Sequence, residues 1–303
     1  MFSRRSHKPR VFYFLSISIL ILFCIRPYPR IHLTRTIQFQ HRNGDLGDQL
    51  FSFFTQLGVA HSLDRVPVLN VFNDSEFVDR LSKLSMKFPT VLEQFMIVIE
   101  PISQPNAELG MDHFEDPVDK LSEYTTIDMM IRGRGFRSYK YFHHLQSEIR
   151  QWMMLGNAEH VEEARKLLPE HLRQTFKLCV HGSDKTDEKL TISAIKRISE
   201  ATASSGNWIV IVVTGIPELL GQKILENSKF SNIASQKIFL SDSSPESHLT
   251  FSRLYCDAVL LTDPTSTLGW WMGYLAKDGS TVFYSDEVQR KEDHFPAEWQ
   301  KIN

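Results

Sequence analysis

The chain has 303 residues, 42% of them hydrophobic and 23% charged, a globular composition long enough for one large domain or two medium ones around a sizeable core. A formal charge of -2 and a pI near 6.6, with basic residues scattered outside one N-terminal cluster, leave no nucleic-acid footprint and exclude nucleic acid as an expected partner.

That cluster, Arg4, Arg5, Lys8 and Arg10, leads into an apolar run from Val11 to Ile25. At about 1.5 Å per residue the run spans about 22 Å, short of the roughly 30 Å hydrocarbon core. A thinner early-secretory membrane and snorkelling of Arg10 and Arg26 narrow the gap. The run ends Phe23-Cys24-Ile25-Arg26-Pro27, without the small residues that cleavage needs, so a retained signal anchor over 11–25 is expected rather than a signal peptide or a buried helix. Positive charge in front of it makes residues 1–10 a cytoplasmic tail, residues 26–35 a stem and the rest lumenal.

Beyond the stem, strand and helix patterns alternate. Thr36 to Gln40 reads as a strand, Asn43 to Gly47 as a Gly-containing loop, and Asp48 to Leu63 as a helix with Leu50, Phe53, Phe54, Leu57 and Ala60 on one face. Val66 to Phe72 is the next strand, with Pro67 tolerable near its start. Residues 73–137 show no order, although Asn73-Asp74-Ser75 is a glycosylation sequon in a polar turn. Tyr139 to Leu155 predicts an aromatic-rich amphipathic helix, and Glu159 to Leu168 another, ended by Pro169.

The second half is plainer: strands at Lys177–His181, Trp208–Thr214, Lys237–Leu240, Asp257–Thr262 and, last, Ser280–Tyr284. Helices separate them at Thr191–Thr202, Pro217–Glu226, Pro245–Tyr255 and Gly269–Leu275. The alternation and the continuous β-branched run at 208–214 predict a doubly wound parallel sheet, an α/β fold. Cys179 and Cys256 lie on or beside buried strands and are expected as two free core thiols. No Cys/His spacing suggests zinc, so no metal is expected.

Ligands of such sheets bind beyond the carboxyl ends of the strands. Those ends carry His181-Gly182-Ser183-Asp184, Thr214-Gly215, Ser241-Asp242 and Thr262 through Thr267. Ser266 and Thr267 open a helix whose N–H groups and dipole can hold a nucleotide diphosphate, although an ordinary cap followed by core tryptophans explains the same residues.

Cys256-Asp257, the strand after it, and Ser266-Thr267-Leu268-Gly269-Trp270-Trp271 resemble the C-terminal block of glycosyltransferase family eleven, the α-1,2-fucosyltransferases. Gly44-Asp45-Leu46-Gly47-Asp48-Gln49-Leu50-Phe51 is similar to that family's Gly-Arg-Leu-Gly-Asn-Gln-Leu-Phe, and Gly135 to Phe142 to its Gly-Tyr-Phe-Gln-Ser-Tyr-Lys-Tyr-Phe. The matches run in family order over residues 36–303. The resemblance implies a GT-B-like pair of Rossmann-like lobes, 36–170 on the acceptor side and 171–303 on the donor side. It implies GDP-fucose as donor, a glycan hydroxyl of a galactoside as acceptor, inversion, no metal or other cofactor, and a Golgi type II membrane location, with self-association or a hetero-oligomer left open. His181, Asp184, Ser266, Thr267 and Gly269 become donor-binding candidates, Gly44, Gly47 and Gln49 cleft-loop candidates, His41 and Asp45 candidate bases, and Asn73 a candidate glycosylation site.

The departures are informative. Where the family has His-x-Arg-Arg-x-Asp, this chain has His181-Gly182-Ser183-Asp184 and no arginine to clamp the leaving diphosphate. Gly215-Ile216 stands where the related fold often has a guanine-reading acid, and Asp45 and Asp48 replace the family's Arg and Asn. A catalytically inactive glycan-binding or partner protein of the same fold is the alternative expectation.

Overall fold

The computed structural model describes residues 34–41, 44–101, 105–110, 113–133, 136–154, 158–203, 209–228, 235–240, 243–285 and 293–302. The expected anchor at 11–25, its flanking tail and most of the stem lie outside them, as do Ser241 and Asp242. No helix among the described residues is long and apolar enough to cross a membrane.

Two parallel sheets organise the chain. The first takes β1 (Thr36–Phe39), β2 (Val66–Asn70), β3 (Met96–Val98), β4 (Ala107–Glu108) and β5 (Asp128–Arg132) in the order β3-β2-β1-β5-β4. The second takes β6 (Phe176–His181), β7 (Ile209–Thr214), β8 (Ser235–Leu240), β9 (Ala258–Leu261), β10 (Thr281–Ser285) and β11 (Gln300–Ile302) in the order β11-β10-β9-β6-β7-β8. Parallel strands need crossovers, and helices supply them. In the first lobe these are α1 (Leu46–Ser62), α2 (Ser75–Lys87), α3 (Pro89–Leu92) and α4 (Pro117–Leu121). Helices α5 (Gln146–Trp152) and α6 (Ala158–Leu167) follow, then α7 (Glu188–Ala203), α8 (Glu218–Asn227), α9 (Pro245–Tyr255) and α10 (Thr267–Leu275).

Within the second sheet the chain runs outward through β6, β7 and β8, then returns to lay β9 on the other side of β6, with His181 paired to both Thr214 and Leu261. The order therefore reverses between β6 and β9, and in such sheets a crevice opens at that reversal, beyond the carboxyl ends of the two strands.

Helix α1 is buried on more than the predicted face. Phe51, Val59, Thr55 and Gln56 are enclosed along with Leu50, Phe53, Phe54 and Ala60, because α1 lies between its own sheet and α10 of the second lobe. Phe51 meets Trp270 and Trp271 with ring centroids 4.6 and 5.2 Å apart, and Phe142 stacks on Trp271 at 5.5 Å. Both indoles are satisfied: Trp270 Nε1 donates to the His294 carbonyl at 2.8 Å and Trp271 Nε1 to the Gly47 carbonyl at 3.0 Å. An aromatic core thus joins the lobes.

The structure corrects three expectations. Cys179 and Cys256 form a disulfide, with Cα atoms 5.7 Å apart, because the switch in strand order puts β6 beside β9 and hence beside the residue that ends α9. The helix predicted over 139–155 is instead two 3-10 turns, Tyr139–Tyr141 and His143–Leu145, followed by α5. There the chain lies against α1 so closely that a Cβ on Gly58 would fall 2.0 Å from the Tyr141 carbonyl oxygen. Ser280–Tyr284 is not the last strand, since β11 closes the sheet's edge beyond it.

Candidate functional site

Four chain turns meet at the reversal between β6 and β9. Two come from the second lobe: the loop leaving β6 at His181 and the Thr262–Ser266 turn between β9 and α10. A third is the loop between β1 and α1. The fourth, the segment that follows β5, brings Arg137.

His181 and Ser266, 85 residues apart, meet here with Nε2 and Oγ 3.0 Å apart. Ser266 is also the cap of α10, its Oγ accepting from the Gly269 N–H at 3.1 Å. Gly269 has to be glycine, because a Cβ there would lie 2.4 Å from His181 Cδ2. The imidazole is 2% exposed, and its Nδ1 has no hydrogen-bond partner among the described residues. Burial pushes the His181 pKa down to about 3, with the charge of His248 adding to the effect and Asp263 opposing it. The ring is thus neutral, with one buried nitrogen to spare.

The loop after β6 is tightly closed. Gly182 N donates to the Thr214 carbonyl at 3.2 Å, and a Cβ on Gly182 would lie 2.2 Å from Thr186 Oγ1 and 2.4 Å from Thr262 Oγ1. Asp184 is exposed, and the residue capping α7 is Asp187, which accepts from the Leu190 N–H at 2.9 Å. Asp263 is buried and was not singled out from sequence, though an acid directly after a buried strand is the signal that would have found it. Burial pushes its carboxyl up, but hydrogen bonds from Ser183 and Thr265 and the charge of Lys185 outweigh that and hold it below the usual range.

Across the seam, the first turns of α1 and α10 abut. A Cβ on Gly47 would lie 2.6 Å from Thr267 Oγ1, the Thr267 carbonyl carbon and the Leu268 nitrogen, so only glycine lets the helix ends come this close. Asp45 answers both positive helix ends. Its Oδ1 caps α1 by accepting from the Asp48 N–H at 2.9 Å, and accepts the Thr267 hydroxyl at 3.1 Å. Gln49 secures the loop by donating to the Gly44 carbonyl at 2.9 Å. Asp48 pairs with Arg137 at 3.2 Å. Its pKa is raised by burial first and the neighbouring Asp45 second, with Arg137 opposing both.

The remaining candidates separate from this cluster. His41 has Nδ1 at 2.8 Å from Ser52 Oγ and Nε2 at 2.7 Å from Gln56 Oε1, and it stacks on Phe77 at 5.3 Å. Burial, opposed by the Gln56 hydrogen bond and helped by Arg80, pushes its pKa down to about 4. With both nitrogens engaged it ties β1 to α1. Asn73 is exposed in a left-handed turn (φ 53) before α2, which Asp74 caps. No cluster of three or more His, Cys, Asp or Glu able to hold a metal ion occurs among the described residues.

No family model matches the chain. An uncharacterized protein of Caenorhabditis elegans, T25D10.1, is 41% identical and aligns over 100% of this chain and 99% of its own length. A galactoside 2-alpha-L-fucosyltransferase of the same organism is 28% identical over 87% of this chain and 76% of its own. The chain shares one family with T25D10.1 and is a fucosyltransferase-like glycosyltransferase. Its fold is similar to that of Arabidopsis thaliana FUT1 in complex with GDP, at a TM-score of 0.50 and 11% identity over 86% of this chain and 71% of that one. It is likewise similar to the NodZ α-1,6-fucosyltransferase soaked with GDP-fucose, at a TM-score of 0.51 and 13% identity over 86% of this chain and 98% of that one. The two-sheet α/β arrangement is accordingly similar to that of GT-B glycosyltransferases.

Proposed function

We propose that the chain transfers fucose from GDP-fucose to a terminal galactoside hydroxyl with inversion, without a metal, using the crevice between β6 and β9 as its donor site. The observation that carries this reading is the meeting of His181 with Ser266 and Gly269 at the reversal of strand order. A buried neutral imidazole with a spare nitrogen there adjoins a helix N-terminus suited to a diphosphate. In this reading His181 contacts the nucleotide, Ser266 and the first turn of α10 receive the phosphates, and the acceptor enters from the first lobe past Gly44, Gly47 and Gln49. Asp184, being exposed, serves at the rim. The kinship with a galactoside 2-alpha-L-fucosyltransferase, the GDP complex of FUT1 and the GDP-fucose soak of NodZ support the same donor.

A second reading, nucleotide-free glycan binding or partnership with an active relative, is favoured by one observation. The Asp45 carboxylate already holds the Thr267 hydroxyl, and the 181–184 loop has no arginine to offset it. Calorimetric titration of the purified lumenal chain with GDP and GDP-fucose, followed by a transfer assay on galactosides, separates the two. Binding with turnover supports the enzyme, and absence of both supports the binding protein. The proposal extends to a Golgi membrane location with residues 11–25 as anchor and to a glycan on Asn73. The Cys179–Cys256 disulfide favours an oxidising compartment of that kind.

A further inference from the structure

The loop between β1 and α1 divides its tasks unevenly. Asp45 spends its Oδ1 on the Asp48 N–H and the Thr267 hydroxyl, while Gly47 allows the helix ends to meet. Both nitrogens of His41 are engaged within the first lobe. Asp263, across the crevice, is held by the Thr265 N–H and hydroxyl at 2.7 and 2.6 Å. Asp48 is different. Its side chain is 36% exposed at the seam between the lobes, beside the first turn of α10, and its ion-pair partner is Arg137 from the segment that follows β5. The backbone of Arg137 is tied down by its carbonyl, which lies 3.2 Å from His294 Nδ1. The carboxylate is therefore paired with a part-exposed guanidinium on an anchored stretch of backbone and still has a face open to an incoming hydroxyl.

Resting on the donor reading above, we propose that Asp48 is the general base of the transfer, with Arg137 as its positioning residue. The acceptor O–H gives its proton to the Asp48 carboxylate as the acceptor oxygen bonds to the anomeric carbon of fucose. The anomeric C–O bond to the β-phosphate breaks, and its electron pair leaves with GDP. The proton then passes from Asp48 to solvent, so the step needs no other reactant. A carboxylate serves best as a base when its pKa is drawn up toward the working pH. The groups facing Asp48 are Asp45 on its own loop, Arg137 from beyond β5 and the Thr267 hydroxyl on α10; burial and Asp45 raise it, and Arg137 and Thr267 hold it down.

The test compares the full chain with its Asp48→Asn variant, following GDP affinity, thermal melting, transfer to a galactoside and hydrolysis of GDP-fucose by water as an acceptor-independent readout. The expected result is GDP affinity no weaker than wild type, an unchanged melting profile and a fall in turnover of roughly 10²–10⁴-fold, with loss of the acid limb of the pH–rate profile. Arg137→Gln gives a second readout: removing the cation moves the acid limb to higher pH. Asp48→Asn turning over at the wild-type rate, or an acid limb that neither variant moves, overturns the assignment of the base while leaving the donor site intact. Failure of the wild-type chain to bind GDP overturns both, and is told apart because it appears before any substitution is made.

Discussion

Replacing Asp45 by Asn should tighten GDP binding, although it removes a residue from the centre of the site. The Asp45 carboxylate accepts the Thr267 hydroxyl at 3.1 Å, so a phosphate taking the same hydroxyl would sit about 6 Å from that charge. Because Asp45 is exposed, a water-like dielectric applies. Two phosphate charges at that distance are repelled by about 1.4 kcal/mol, or about tenfold in Kd. Asparagine caps helices as well as aspartate does, so the Asp48 N–H keeps its acceptor and α1 keeps its start. Titration calorimetry at low ionic strength, repeated with added salt, is the assay, since screening should shrink the gain. The same variant should move the acid limb of any pH–rate profile downward, because Asp45 is one of the groups that raise Asp48. An affinity that is unchanged or weaker in the variant would show that no phosphate comes near Asp45, and the geometry assigned to the donor would be wrong.

Other consequences follow from the same contacts. Gly269→Ala should weaken GDP binding severalfold or more in a titration, because its Cβ must displace the His181 ring. Reduction of the Cys179–Cys256 bridge, or its replacement by alanines, should lower stability to denaturant by up to about 4 kcal/mol, since it closes a loop of 77 residues. Acidification should destabilise the chain. His41 and His181 have folded pKa values of about 4 and about 3, below the unfolded value of 6.5, so the unfolded state binds protons that the folded state does not. The stability is present above pH 6.5 and is lost as pH falls toward 4, at about 1.4 kcal/mol per pH unit for each histidine, which melting curves at stepped pH will read. A His41→Asn variant should flatten that slope by one proton.

The second lobe was legible because its central strands, β6, β7 and β9, are buried on both faces. Runs such as Ile209 to Thr214 are β-branched without interruption and have few other readings. Residues 73–137 were not, for reasons of length and composition. β3 and β4 have three and two residues, too few to show a period, and the core of β5 is Met-Met-Ile rather than a β-branched run. Helix α2 could have been read from its Asp74 cap and the spacing of Phe77, Leu81 and Leu84. The site was legible as strand ends, which brought His181 and Ser266 forward, and through the family resemblance, which added Gly269, but not as a cluster. Asp45 meets Thr267 only because α1 and α10 abut through Gly47, a contact between residues 220 positions apart, and Arg137 reaches Asp48 across 89 residues, pairings that no local pattern encodes. The disulfide was hidden for the same reason: the adjacency of β6 and β9 is a property of the sheet, not of the spacing between cysteines.

Hydrogen exchange with and without saturating GDP shows directly where a nucleotide touches the chain. Slowed exchange in the backbone N–H groups of 181–186 and 265–270, on both sides of the β6–β9 reversal, is the predicted result. Binding that protects a different surface, or no binding at all, would contradict it.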